Sequence, residues 1–480
     1  MRFNSVIYWA FLAAVVAVYW LVPQKARKGW LLAASYLFYA SWHWPYLLLL
    51  VGSATVNWWG AGWIARAPGD RKKRGALILA IDVLALALFK YLDWLLGGVV
   101  SLFSLLGLES PIAPPHWLLP LGISFYLFES MSYIIDVVRK REQPHPFWDI
   151  QLFIAFFPKL IAGPILRAKE LLPQFNKLAP PALDEVKEAL RMILIGLFLK
   201  VVIADGLAPS IDKAFAKPVA AVGGIDAWMM AIGFGLQIYL DFSSYSRIAI
   251  GSARLFGIKL VDNFNHPYVS SSPPDFWNRW HMSLSRWIRD YLFYPLVGKK
   301  QTLSTLCRAA LGSMVLCGIW HGAGLTFVVW GLWHGILTAG YHLFTHGKPR
   351  TRPNEVPLWR KAIGILGTFL LVMLGWTFFR ASSLPQAFGL IGHALLPFVY
   401  RERALGGTFY LHVTALVAAM WIAPCASAAF ERWASAIEEK KTLVARAAAF
   451  ALAEGVAFGA MVAVVLVYLR GQSAFIYFQF

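Results

Sequence analysis

Apolar runs of helical length follow one another along this chain, separated by short polar or basic connections. The first covers 6–22. Others lie at 29–43, 46–65, 75–95, 117–138, 189–205, 226–242, 305–321, 324–343, 361–379, 409–430 and 447–469. Runs of this size match a transmembrane helix, which needs roughly 20 apolar residues. Shorter pieces at 97–107, 150–164, 243–257, 276–297 and 386–400 are interrupted by Gly, Pro or polar residues. They predict re-entrant or interfacial helices, which membrane depth tolerates only where protein or a cavity surrounds them. The pattern as a whole predicts an all-α polytopic membrane protein with about 11–13 crossings. Only Arg2 precedes the first run and no small-residue cleavage pattern follows it, so it reads as an uncleaved span. No period signals an internal repeat, and the inverted-repeat logic of many transporters finds no support.

Composition agrees. The 480 residues are 59% hydrophobic and 14% charged, with a mean hydropathy of +0.58. Soluble domains hold about 45–50% apolar and about 25% charged residues. A soluble chain of this length has too little interior for that excess, so it faces lipid. A cytosolic enzyme, a secreted disulfide scaffold and a disordered chain are excluded. The run lengths also argue against a membrane barrel, whose strands alternate over about ten residues. The net charge of +19 reads as cytoplasmic loops and anionic headgroups rather than as a nucleic-acid partner. Lys25, Arg27 and Lys28, then Arg66 and Arg71–Arg74, then Arg139–Arg141 alternate with uncharged connections near 44–46 and basic-free ones at 108–116. The positive-inside rule puts these loops in the cytoplasm and the N-terminus outside. The basic stretches 348–361 and 438–446 fit the cytoplasm if 386–404 is an external surface helix, which puts the C-terminus outside. Cys307, Cys317 and Cys425 are scattered in apolar context and indicate neither disulfides nor a metal site.

The stretch 275–295, DFWNRWHMSLSRWIRDYLFYP, carries the densest chemistry. On a helix at 100° per residue, Phe276, Trp280, Leu284, Trp287, Ile288 and Tyr291 share one face. Arg279, Arg286 and Arg289 take the opposite face, as in a helix at the membrane interface. His281 falls on the apolar face, where an imidazole needs a partner. On helical geometry alone it is either a hydrogen-bonded structural histidine or a site residue. A second stretch, GIWHGAGLTFVVWGLWHG at 318–335, holds two Trp-His-Gly triplets. Their thirteen-residue offset rotates about 220°, so on one straight helix His321 and His334 face apart. Gly322 and Gly324 predict a break just after His321. A polar side chain at such a break between apolar spans is a functional candidate, whereas His334 reads as a packing histidine. Glu129, Asp136, Lys159 and Asp241 also lie at membrane depth. They read either as a polar path or as interhelical pairs, for example Lys159 with Asp241. Ser243, Ser244 and Ser283 lack a nucleophile-elbow context.

These segments resemble the membrane-bound O-acyltransferase superfamily, in its bacterial alginate O-acetyltransferase-like branch. The matching blocks run nearly end to end: SYLFYASW at 35–42, LPLGISFYLFESMSYIIDVVRK at 119–140, FFPKLIAGPILRAKELLPQF at 156–175, QIYLDFSSYSRIAIGSARLFGI at 237–258, NFNHPY at 263–268, FWNRWHMSLSRWIRDYLFYPL at 276–296, WHGAGLTFVVWGLWHG at 320–335 and FIYFQF at 475–480. Ser244 and Arg247 depart from the family pattern, which has Gly and an acid there. The resemblance implies one family-like transmembrane domain over 1–480 with a central crevice or tunnel, and 225–335 as its catalytic core segment. It implies transfer of an acetyl group from cytoplasmic acetyl-CoA for O-acetylation of an extracytoplasmic polysaccharide or peptidoglycan in the bacterial inner membrane. His321 is then the catalytic histidine and His281 its supporting member. His321 is either a general base or a transient acetyl carrier.

No permanently bound cofactor and no metal are expected, since neither HExxH nor CxxC accompanies the histidines. Arg279, Arg286, Arg289 and Lys159 are candidates for holding polyanionic CoA, or for headgroup contact. The bulk of a polysaccharide, and longest loops of only tens of residues, point to a dedicated extracytoplasmic acceptor protein, and the resemblance implies that it is an SGNH/esterase-like acetyltransferase. Transfer of another acyl group, as in D-alanylation of teichoic acid, stays open. So do a transporter or flippase and a non-catalytic scaffold.

Overall fold

The computed structural model describes residues 1, 3–348, 356–396, 403–438 and 444–469. Among them every regular element is helical. The 475–480 block, the middle of the 348–361 and 438–446 stretches, and 397–402 of the expected surface helix lie outside the described residues. The chain is an all-α multi-pass membrane protein. Five described helices are long and apolar enough to cross a bilayer by length and composition: Pro45–Ala65, Arg71–Leu105, Leu183–Phe215, Leu303–His321 and Leu358–Arg380. Val6–Leu21, Gly407–Ile422 and Glu454–Tyr468 are apolar but shorter. Other expected crossings coincide with helices that turn polar groups inward. Ile123–Val138 buries Glu129, Ser130, Ser132 and Asp136, and Leu325–Thr345 buries His334. Hydropathy alone undercounts such helices, because their polar residues are covered by neighbouring protein rather than by lipid.

The chain divides into two compact units. The first is built from Met1–Ile193 with Tyr245–Asp262. Pro45–Ala65, Arg71–Leu105 and Ile123–Val138 pack on one another there. Its backbone leaves helical geometry around Pro158 and Gly163, as the sequence predicts, and residues 151–166 are buried without exception. Burial of irregular backbone requires internal partners. The Phe157 N–H donates to Ser35 Oγ at 3.1 Å. Lys159 and Glu129 form a buried ion pair, and Glu129 also accepts from the Leu166 N–H at 3.0 Å. The expected Lys159–Asp241 pair is therefore corrected. Asp241 belongs to the second unit and is met by Lys200 at 2.5 Å. With its charge matched by Glu129 and only 2% of its surface exposed, Lys159 presents no ammonium to a polyanion, so its expected CoA contact is corrected as well.

The second unit comprises Leu194–Ser244 and the described residues from Asn263 onward. Lys200 lies in a π-helical stretch, Phe198–Ala204, and pairs with Asp205 at 2.7 Å as well as with Asp241. A lysine mid-membrane is tolerated when its charge is matched. Removing one partner of a buried ion set costs about 3–5 kcal/mol, because the remaining charges lose compensation. Lys200→Met is expected to lower the thermal unfolding midpoint of the detergent-purified protein sharply. Adding Asp205→Asn and Asp241→Asn to it should restore most of the loss. An unchanged midpoint in the single variant contradicts this assignment.

Leu303–His321 and Leu325–Thr345 form an antiparallel hairpin, the most extensive helix pair in the unit. Glycines make its seam. A Cβ on Gly318 would lie 2.2 Å from the Phe327 carbonyl oxygen, and one on Gly331 2.2 Å from the Met314 carbonyl oxygen. Only residues without a side chain allow helices to come that close. The hairpin ends on the histidine that the sequence singles out.

Candidate active site

His321 is the last residue of Leu303–His321. Gly322 follows in extended conformation and the next helix starts at Leu325, so the predicted break is present. The break leaves the His321 side chain at a helix end inside the unit, 5% exposed. Its ring lies between aromatic walls: Trp320 at 4.6 Å, Trp330 at 4.9 Å and Phe379 at 5.1 Å between centroids. Such walls surround the imidazole with apolar surface.

His281 reaches its place differently from the sequence expectation. The continuous amphipathic helix predicted for 276–297 is broken into Pro273–Trp277, Met282–Ile288, a π-helical Arg289–Phe293 and Tyr294–Val297. The cause is tertiary. Residues 263–265 supply hydrogen bonds that the helix would otherwise make: Met282 N–H donates to the Asn263 carbonyl at 2.9 Å, and Asn265 N–H to the Arg279 carbonyl at 3.0 Å. His281 sits between the pieces with φ +40°, in the left-handed region that non-glycine residues seldom occupy. Strained backbone of this kind persists only where surrounding contacts over-determine it, and it concentrates at functional sites. The division of faces nonetheless holds. Phe276, Trp280, Leu284, Trp287 and Tyr291 are buried, while Arg279 and Arg286 are half-buried and Arg289 is exposed. Arg279 pairs with Asp275 at 2.8 Å and Arg289 with Asp290 at 3.0 Å.

Asn263 fixes the His281 ring. Its side-chain oxygen accepts from Ser283 Oγ at 2.7 Å, from the Ser283 backbone N–H at 3.2 Å, and contacts His281 Nδ1 at 3.2 Å. A backbone N–H can only donate, so the carboxamide atom it meets is the oxygen. An oxygen acceptor in turn requires Nδ1 to carry the proton. His281 is thus held as the tautomer with its lone pair on Nε2, the arrangement expected of an imidazole positioned to accept a proton or a hydrogen bond. The ring stacks edge-on to Phe242 at 4.6 Å.

An unbroken series of aromatic rings joins the two histidines within the second unit. Trp330 lies 4.9 Å from His321 and 5.8 Å from Trp376. Trp280, next to His281 in sequence, is 4.8 Å from Trp376, and Phe264 is 5.1 Å from Trp280 and 6.5 Å from His281. His334 belongs to this group too. Its ring is 5.0 Å from Trp330, against which His321 also packs. The thirteen-residue phase argument holds only for one straight helix, and the hairpin folds the second triplet back. Sequence reasoning missed Asn263, Lys200 and the Trp280–Trp330–Trp376 group. Lys200 was signalled by its position in the apolar ILIGLFLKVVIA and by the need of Asp241 for a cation. Asn263 stood out in the sequence only as the first residue of the NFNHPY block, because its role exists through contacts eighteen to twenty residues away. Of the two departures from the family pattern, Ser244 is buried and donates to the Asp241 carbonyl at 2.7 Å, and Arg247 is exposed.

The model of the membrane-bound O-acyltransferase family matches residues 5–378. The chain is 39% identical to a probable alginate O-acetylase of Azotobacter vinelandii over 80% of this chain and 76% of that protein. It is 35% identical to a peptidoglycan O-acetyltransferase of Helicobacter pylori over 82% of this chain and 80% of that one. Similarity to a teichoic acid D-alanyltransferase of Bacillus subtilis is lower, 30% over 56% of this chain and 71% of the other.

Proposed function

The chain belongs to the membrane-bound O-acyltransferase family, and from that premise we propose that it passes an acetyl group from cytoplasmic acetyl-CoA toward the hydroxyls of an extracytoplasmic polysaccharide. The observation that carries this reading is the pair of histidines, His321 and His281, both buried and joined by a continuous series of aromatic rings within a single unit. One stands at a helix break and the other is fixed in a single tautomer. In the base reading, His321 takes the proton of an acceptor hydroxyl as its oxygen attacks the thioester carbon. The C–S bond breaks and the proton passes to the departing CoA thiolate. In the carrier reading, the His321 nitrogen attacks the thioester carbon first, the C–S bond breaks and the CoA thiolate leaves with the ring N–H proton; the hydroxyl then attacks the acetylimidazole, and its proton returns to the ring as the N–C bond breaks. His281 supports either by holding the acyl group or a proton, and Arg279, Arg286 and Arg289 remain the candidates for CoA phosphates.

The extracytoplasmic acceptor is a serine esterase-like acetyltransferase that modifies the polymer, because no described loop forms a soluble domain able to hold a polysaccharide. Residues 225–335 form the catalytic core segment, and the basic loops face the cytoplasm with both termini outside. Acetyl transfer is favoured over D-alanylation by the higher identity and wider coverage of the acetyl-transferring relatives. Donor choice tests this. Membrane vesicles carrying the protein should transfer label from radiolabelled acetyl-CoA and not from a D-alanyl-loaded carrier protein. Transfer from the carrier alone overturns the acetyl reading and leaves the acyltransferase assignment standing.

A further inference from the structure

Beside His321 the second unit holds a cluster of buried polar nitrogens that no part of the foregoing mechanism uses. His334 is 0% exposed, and neither of its ring nitrogens has a hydrogen-bond partner among the described residues. The same holds for the indole nitrogens of Trp277, Trp330 and Trp376. All three indoles touch the His334 ring, with centroids at 5.1 Å for Trp277, 5.0 Å for Trp330 and 6.3 Å for Trp376. Buried polar groups in native proteins are overwhelmingly paired, and each one left alone is destabilising. Four such side chains in mutual contact point to a shared guest. Its chemistry follows from the donor count. Three indoles offer one N–H each, and a neutral imidazole offers one N–H and one lone pair. Donors exceed acceptors four to one, so the guest brings lone pairs. Burial among aromatic rings makes it small and uncharged. Gly375 lets its helix approach the His334 ring closely. A Cβ there would lie 3.0 Å from His334 Nε2.

We propose that His334 with the indole N–H groups of Trp277, Trp330 and Trp376 forms a hydrogen-bonding site for the carbonyl oxygen of the acyl group being transferred. The inference rests on the donor reading given above. Trp330 connects the site to the reacting base, since one face group serves His321 at 4.9 Å and His334 at 5.0 Å. When the acceptor oxygen attacks, the carbonyl π electrons move onto oxygen. Preorganised donors at that oxygen stabilise the developing charge, the effect that dominates acyl transfer in water-excluded sites. On collapse the C–S bond breaks, the electrons return to the carbonyl, and the proton removed from the hydroxyl goes to the CoA sulfur. His334 thereby becomes a group for binding the acyl carbonyl rather than a packing residue.

The test uses a donor analogue in which a methylene replaces the thioester sulfur and the ketone stays in place, acetonyl-dethio-CoA. Its comparison partner has a methylene in place of the ketone as well. Binding of both to the full-length protein in nanodiscs is measured by calorimetry. Wild type should prefer the ketone by roughly tenfold or more. The carbon-13-labelled carbonyl band should shift to lower frequency on binding. Trp330→Phe, which removes the indole N–H while keeping an aromatic ring in place, and Gly375→Ala, which crowds Nε2, should each erase most of the preference and reverse the band shift. His334→Leu should do the same and His334→Gln should retain part of both. If His334→Leu fails to fold, the Trp330 and Gly375 variants decide. An undiminished preference and an unshifted band difference in those two overturn the proposal and leave the donor reading intact. Wild-type protein that binds neither analogue overturns the donor reading and this site with it.

Discussion

Replacement of His321 by alanine is expected to abolish detectable acyl transfer while the protein still inserts and accumulates. Loss of a general base typically costs about 10²–10⁴ in rate, and loss of an acyl carrier removes the route altogether. The side chain ends its helix beside Gly322 and packs between Trp320, Trp330 and Phe379. Its removal opens space next to rigid rings rather than exposing a charge, so the hairpin, held by the Gly318 and Gly331 approach, should survive. His321→Gln, which preserves much of the volume, should be equally inactive. Polymer O-acetyl content at matched protein levels is the readout. Wild-type acetylation in either variant removes the catalytic assignment and leaves a scaffold role standing.

The second large effect is expected at Asn263, a residue with no reactive chemistry of its own. Its side-chain oxygen serves Ser283 Oγ, the Ser283 N–H and His281 Nδ1 together. Asn263→Leu deprives all three, at about 1–3 kcal/mol for each buried group left unpaired. It also frees the left-handed turn that aims His281. Activity should fall to near that of His281→Ala, with a lowered unfolding midpoint. Asn263→Asp retains an acceptor oxygen for the same three groups and should keep the imidazole tautomer, and with it a substantial part of the activity. The split separates a positioning residue from a merely structural one. Equal loss of activity in Asp and Leu variants, at equal stability, contradicts the tautomer argument.

Sequence reasoning went furthest where structure is set by short-range pattern. The helical class, the break after His321, the irregular backbone around Pro158 and Gly163, and the aromatic and guanidinium faces of 276–291 all follow from residues close in the chain. It failed where distant groups decide. A helical wheel could not foresee that residues 263–265 capture the backbone at 279–282 and turn His281 by a left-handed step. A list of intramembrane charges could not say that Glu129 takes Lys159 while Lys200 takes Asp241. The phase separating His321 from His334 holds for a single straight helix. The glycines that break that helix are visible, but their consequence, a hairpin that lays Trp330 against His321 with His334 one turn further along the same helix, depends on the Gly318–Gly331 seam. Local pattern therefore located the candidate residues, and tertiary hydrogen bonds and close helix approach assembled them.

Transport of the acetyl group through this site is tested most directly in sealed proteoliposomes. The purified protein is reconstituted with an extracytoplasmic acetyltransferase and a hydroxyl-rich polymer enclosed, and radiolabelled acetyl-CoA is supplied only on the side of the basic loops. The account predicts acetylated polymer inside the vesicles with wild-type protein, stoichiometric release of CoA thiol outside, and neither with His321→Ala. Equal labelling of the enclosed polymer by the His321 variant, or thiol release without any acetyl group crossing, would contradict it.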